Sequence, residues 1–112
     1  MNPWRSAPVA EVARIDAAKV EPGKALHVEG GPDGICLVRV GDSYYALSDR
    51  CSHANVPLSE GDVDTDERTV ECWKHGSTFS LLDGRPQCLP ATQPVRVYGV
   101  REEGPDLVVF ER

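Results

Sequence analysis

Two short segments of the chain each carry one thiol and one imidazole. Cys51-Ser52-His53 is followed, after eighteen residues, by Cys72-Trp73-Lys74-His75. A tight loop can aim both side chains of such a pair at one point. Two such loops, facing each other, present two sulfurs and two nitrogens to one centre. A fold that uses both pairs at one centre has to bring the loops together. Pro57 after the first pair and Gly76 directly after the second suit loops rather than regular elements.

Ten Gly and nine Pro punctuate the 112 residues, which favours short elements joined by tight turns. Val9–Ile15 reads as an opening strand, and Asp16–Val20 as one helical turn capped by Asp16. Lys24–Val28 alternates Ala25 and His27 against Leu26 and Val28, as a half-buried strand does. Ile35–Val40 and Ser43–Leu47, separated by Gly41-Asp42, form the strongest hairpin signal. Thr69–Glu71, Thr78–Leu82, Val95–Val100 and Asp106–Phe110 are further strands, the last two joined through Glu103-Gly104-Pro105. About eight strands and no convincing helix predict an all-β sandwich or small barrel. The length suits one domain. Residues 1–8 are expected to be an N-terminal arm and 9–112 the domain, with Trp4 of the arm exposed.

Twelve basic against eighteen acidic side chains give a net charge of −6, which argues against a general nucleic-acid binder. The longest apolar runs are four residues, such as 107–110, far short of the ~20 a membrane span needs. No apolar leader is visible, so the cytoplasm is the expected compartment. The charge is concentrated: residues 60–71 hold six acids and one base, net −5. That segment reads either as a solvated loop or as a docking patch for a basic partner.

Three readings of the Cys/His pairs compete. They are unrelated residues, or a structural zinc site of Cys₂His₂ type, or a [2Fe–2S] cluster with two His on one iron. Zinc fingers usually keep the two Cys in one pair and the two His in the other, so mixed pairs favour the cluster.

The run C-S-H…C-W-K-H-G-S resembles the signature of the Rieske family, C-x-H…C-x₂-H followed by Gly. Ala54-Asn55-Val56-Pro57-Leu58, Gly84, Pro90-Ala91 and Pro94-Val95 are similar in spacing to small bacterial Rieske ferredoxins, the ferredoxin components of non-haem iron oxygenase systems. The resemblance implies three stacked antiparallel sheets, with one [2Fe–2S] cluster per chain at the tip of two loops, in a cluster-binding part of about 48–93. It assigns Cys51 and Cys72 to a buried iron and His53 and His75 to a solvent-facing one. Around them it places Leu58 and Trp73 as shields, with Trp73 equally read as packing, Ser77 as a hydrogen-bond donor and Pro90 in a third loop covering the cluster.

Two neutral imidazoles in place of two thiolates leave the oxidised site neutral, which raises the potential into ~ −150 to +300 mV. High-potential family members carry an extra disulfide between the ligand loops; Val56 and Lys74 stand at those positions here. They also carry a Tyr where this chain has Phe79. Fewer donors to the sulfurs place this protein in roughly the −150 to 0 mV part of the range. Cys36 and Cys88 are expected to be buried small hydrophobes without a disulfide. His27 is expected at the surface or edge of its strand.

With two of three His taken by the cluster, only His27 is left for a second iron site, which needs two His and a carboxylate. No Gly-rich nucleotide fingerprint is present. The expected role is therefore a one-electron carrier rather than an enzyme. The resemblance implies a flavin-dependent ferredoxin reductase as donor and a terminal, ring-hydroxylating-type oxygenase as acceptor. A Rieske ferredoxin serving iron–sulfur assembly or another redox pathway is the alternative, and a structural zinc-binding module a further one. A small acidic carrier is expected to be a monomer.

Overall fold

A computed structural model describes residues 10–52, 54–74 and 76–112. The arm 1–8 with Trp4, and both imidazoles of the paired motifs, lie outside the described residues.

Nine strands lie among the described residues: β1 (Glu11–Asp16), β2 (Ala25–Val28), β3 (Ile35–Val40), β4 (Ser43–Ser48), β5 (Val63–Asp64), β6 (Thr69–Glu71), β7 (Thr78–Ser80), β8 (Val97–Glu103) and β9 (Asp106–Glu111). They pair antiparallel into a six-stranded sheet, β1-β9-β8-β4-β3-β2, and a three-stranded sheet, β5-β6-β7. The all-β class is as expected.

The six-stranded sheet is two halves. β4 meets β8 only through Ala46↔Tyr98 and Leu47↔Val97. In the half β2-β3-β4, the stretches Ile35–Val38 of β3 and Ala46–Ser48 of β4 are buried on both faces, because alternate residues of a strand point to opposite sides. Ile35, Leu37 and Ala46 join Ala13, Tyr98, Leu107 and Val109 in one core. Cys36, Val38 and Leu47 join Val70, Phe79 and Leu81 in a second. The molecule is thus three layers, with β1-β9-β8 outside one core and β5-β6-β7 outside the other. An uninterrupted Ile35-Cys36-Leu37-Val38 run is what such a central strand requires.

The β3–β4 hairpin turns at Gly41, whose φ of 60° is open to glycine at little cost. Asp16 caps the 3₁₀ turn Ala17–Lys19, accepting from the Ala18 N–H at 2.9 Å. Three expectations are corrected. β5 is a ninth strand: two residues inside the acidic segment show no alternating apolar run. The strand expected over Val95–Val100 runs instead over Val97–Glu103, because pairing with β9 as far as Glu103↔Asp106 carries a charged stretch into the ladder. That expected over Thr78–Leu82 stops at Ser80, where Leu81 turns into the core and Leu82 is exposed.

Candidate metal centre

The second core holds the chemistry. Cys51 and Cys72 are both buried in it, together with Leu58, Phe79 and Ala91. Their loops are built alike. The Cys51 N–H donates to the Val56 carbonyl at 3.0 Å, and the Cys72 N–H to the Ser77 carbonyl at 2.7 Å. Each bond closes a six-residue loop, 51–56 and 72–77, that starts with the thiol and holds the motif's His inside it. The second loop tightens further through Gly76, at φ 77°, donating to the Cys72 carbonyl at 2.9 Å.

A third loop, 87–96, ties the two together. The Ser52 hydroxyl donates to the Gln93 carbonyl at 2.6 Å. The buried Ser77 Oγ accepts from the Ala91 N–H at 3.1 Å. That bond does not use the Ser77 hydroxyl proton, which remains a donor inside this core. Pro90, exposed and joined to Leu89 by a cis peptide, directly precedes Ala91. Leu58 is fully buried beside both cysteines. Trp73 is 53% exposed and stands outside the described core, which removes its reading as ordinary core packing.

Two further expectations change. Cys88 is exposed, not buried, and lies 3.7 Å from the Gly76 carbonyl and from the Thr78 hydroxyl. Turn residues Gln87 and Leu89–Pro90 around it supply no core face. Cys36 is buried as expected, and burial pushes its thiol well above its ordinary value. Both are free, as expected.

The sequence reading missed Asp49. Its carboxylate is buried and accepts from the Ser59 N–H and the Ser59 hydroxyl, both at 2.6 Å. It also meets His27 Nδ1 at 2.5 Å. Asp49 precedes the first ligand loop and Ser59 follows it, so the carboxylate fastens both ends of that loop. His27 is on an edge strand, as expected, but holds the anchor: hydrogen bonding to Asp49 raises its pKa, burial opposes this, and Glu29 adds to the rise. No short-range signal joins residues 27, 49 and 59; pairing of β2 with β3 and of β3 with β4 brings His27 to Asp49, and the 3₁₀ turn Leu58–Glu60 brings Ser59.

The acidic segment 60–71 folds into a hairpin. β6 runs from the turn at 65–68 towards Cys72, so that turn lies a strand's length, ~13 Å, from the thiol. The Asp64 carboxylate accepts from the Asp66 and Glu67 N–H groups at 3.0 and 3.1 Å, which makes it a turn-former.

The model of the Rieske [2Fe–2S] domain matches residues 10–99. The chain belongs to this family. It is 41% identical over 109 residues to the 3-phenylpropionate/cinnamic acid dioxygenase ferredoxin subunit of Escherichia coli strain K12, covering 97% of this chain and 93% of that protein. The ferredoxin of carbazole 1,9a-dioxygenase from Nocardioides aromaticivorans IC177 superposes with a TM-score of 0.85 at 32% identity, over 92% of this chain and 99% of that one. A ferredoxin solved in a complex of reduced oxygenase and oxidised ferredoxin of carbazole 1,9a-dioxygenase gives 0.80 at 33% identity, over 91% and 93%. This Rieske-type ferredoxin carries a [2Fe–2S] cluster and moves electrons rather than catalysing a reaction itself. Among the described residues no helix is long and apolar enough to cross a membrane.

Proposed function

We propose that this Rieske ferredoxin takes one electron at a time from a flavin-dependent reductase and delivers it to the terminal oxygenase of a ring-hydroxylating dioxygenase, in the cytoplasm and as a monomer. The observation that carries the reading is the pair of matched six-residue loops that set Cys51 and Cys72 in one buried core. The chain's likeness to named ferredoxin subunits of aromatic dioxygenases, one of them solved with its oxygenase, supports the choice of acceptor. Domain limits of 9–112, with 48–93 as the cluster-binding part, follow from the same reading.

Cys51 and Cys72 would hold the cluster from the core side, with His53 and His75 completing the ligand set. The donor set fits: two thiols from closed loops in a common core, with an imidazole in each loop. When bound, the cluster stores one electron at a site left neutral in its oxidised form. The protein's own part is to exclude water and to fix the ligands. Leu58, Val56 and Phe79 close the core around the two sulfurs. Asp49 and Ser59 clamp the first loop; Ser77 and Ala91 tie the second to the third.

Metal and sulfide analysis tests the cofactor. About two iron and two sulfide per chain, with a Rieske-type EPR signal after dithionite, are expected. One zinc and no sulfide would refute it. Mixing the reduced protein with a candidate oxygenase and its aromatic substrate tests the pathway: hydroxylated product that depends on the ferredoxin supports the acceptor, and re-oxidation without product overturns it.

A further inference from the structure

β4 and β8 part company away from the ligand loops. Their ladder ends at Ala46↔Tyr98. The next partners in that register, Tyr45 with Gly99 and Tyr44 with Val100, stand apart, and a groove of about 410 Å³ opens at them. Leu82, Phe110 and Arg112 also line it. Tyr44 stands near the start of β4 and Cys51 follows the far end, so the groove lies at least a strand's length, ~13 Å, from the first ligand loop.

Both cores reach the surface here. Tyr44 and Val100 pack on the first core and Tyr45 on the second. The Phe110 ring lies against Gly99, where a Cβ would come within 2.3 Å of it. Leu82 is 58% exposed. An aromatic groove between two diverging strand edges is a surface that another segment covers.

The chain itself supplies that segment. The Ala10 carbonyl accepts from the Glu111 N–H at 2.9 Å, and Glu11 pairs with Phe110. Residues 1–9 therefore join the fold beside Phe110 and Arg112, at the groove's own wall. β9 and β8 separate β1 from the groove, about 10 Å at ~4.8 Å per strand. Trp4 is six residues from Ala10, a reach of up to ~20 Å. Pro3 and Pro8 fix φ near −65° and bias the residues before them to extended backbone. A proline-stiffened segment is what aromatic-lined grooves take.

We infer that residues 3–8 strap back over the end of β9 and seat the Trp4 indole in this groove of the same chain. The strap covers Tyr44, Leu82 and Phe110 and closes the open end of both cores. A Trp buries ~150–250 Å². The prolines have already given up part of the freedom that seating costs, so seating should be favoured about tenfold.

The two Trp are Trp4 and Trp73, so the emission of the holoprotein minus that of Trp4→Phe isolates Trp4. It should be blue-shifted from an exposed indole and about tenfold less quenched by acrylamide. Leu82→Glu, a change at an exposed position, should return both readings to those of an exposed indole. In urea unfolding, Trp4→Ser and Leu82→Glu should each lower the folding constant about tenfold, and the double variant no further, because both remove one contact. All readings should hold over about a tenfold dilution. An exposed-indole Trp4 in the parent, or losses that add, would overturn the inference. Readings that fade on dilution would also overturn it, placing the arm in the groove of a second copy. The carrier reading stands in either case, since no variant touches a ligand or a ligand loop.

Discussion

Asp49→Ala should loosen the first ligand loop, and the size of the effect can be worked from the structure. The carboxylate accepts from the Ser59 N–H and hydroxyl at 2.6 Å and meets His27 at 2.5 Å. Truncation strands two Ser59 donors, each worth about 1–3 kcal/mol if left dry, and removes a charge-assisted bond worth about 1.5–3 kcal/mol. The upper sum is not reached, because a cavity of about 430 Å³ lined by His27, Asp49 and Ser59 opens beside them. Water entering there replaces part of the lost bonding. The net loss should be about 3 kcal/mol, or on the order of 10 °C in Tm for a domain of this size. Asp49→Asn keeps a carbonyl for the Ser59 N–H, and its amide can face a neutral His27, so it should lose only about 1 kcal/mol. Urea unfolding of the holoprotein gives the stability. Bleaching of the visible absorbance under a chelator gives the rate of cluster loss, expected to rise in Asp49→Ala in step with its instability. A Asp49→Ala protein within 0.5 kcal/mol of the parent, or one that is destabilised but loses its cluster no faster, would refute the clamp.

Three other outcomes are expected. His27 has a raised pKa in the folded state, so its partnership with Asp49 stabilises fully below the unfolded value near 6.5 and fades as pH rises through the folded pKa; His27→Gln should therefore lose more stability at pH 5.5 than at pH 9, and equal losses would contradict the pairing. The potential should fall in roughly the −150 to 0 mV range, and Phe79→Tyr, adding a hydroxyl in the core that holds both thiols, should raise it; a parent value above about +150 mV by protein-film voltammetry would count against the argument. A Cβ at Gly61 would fall on the Glu71 carbonyl oxygen, so Gly61→Ala should push the 58–60 turn off β6 and lose about 1–3 kcal/mol in urea unfolding.

The sequence by itself determined the kind of protein this is. A thiol and an imidazole two or three residues apart can be aimed at one point by a tight loop, and the resemblance of the two pairs to the Rieske signature is local sequence information that needs no tertiary contact. The same holds for the hairpin at Gly41, the cap at Asp16 and the class of the fold, because turn chemistry and strand alternation are local. What the tertiary structure decided are relations between segments far apart in the chain. Asp49 looks like an ordinary surface acid until β2 brings His27 beside it and the 3₁₀ turn Leu58–Glu60 brings Ser59. The segment 60–71 lies between the ligand loops in sequence, yet folding it into a hairpin carries its turn away from them. The loops 50–59, 72–78 and 87–96, far apart in the chain, meet only through tertiary bonds such as Ser52 to Gln93 and Ala91 to Ser77. Cys88 and Trp73 were misplaced or left open for the same reason: burial belongs to the packed layers, and no local pattern states which side of a loop faces them.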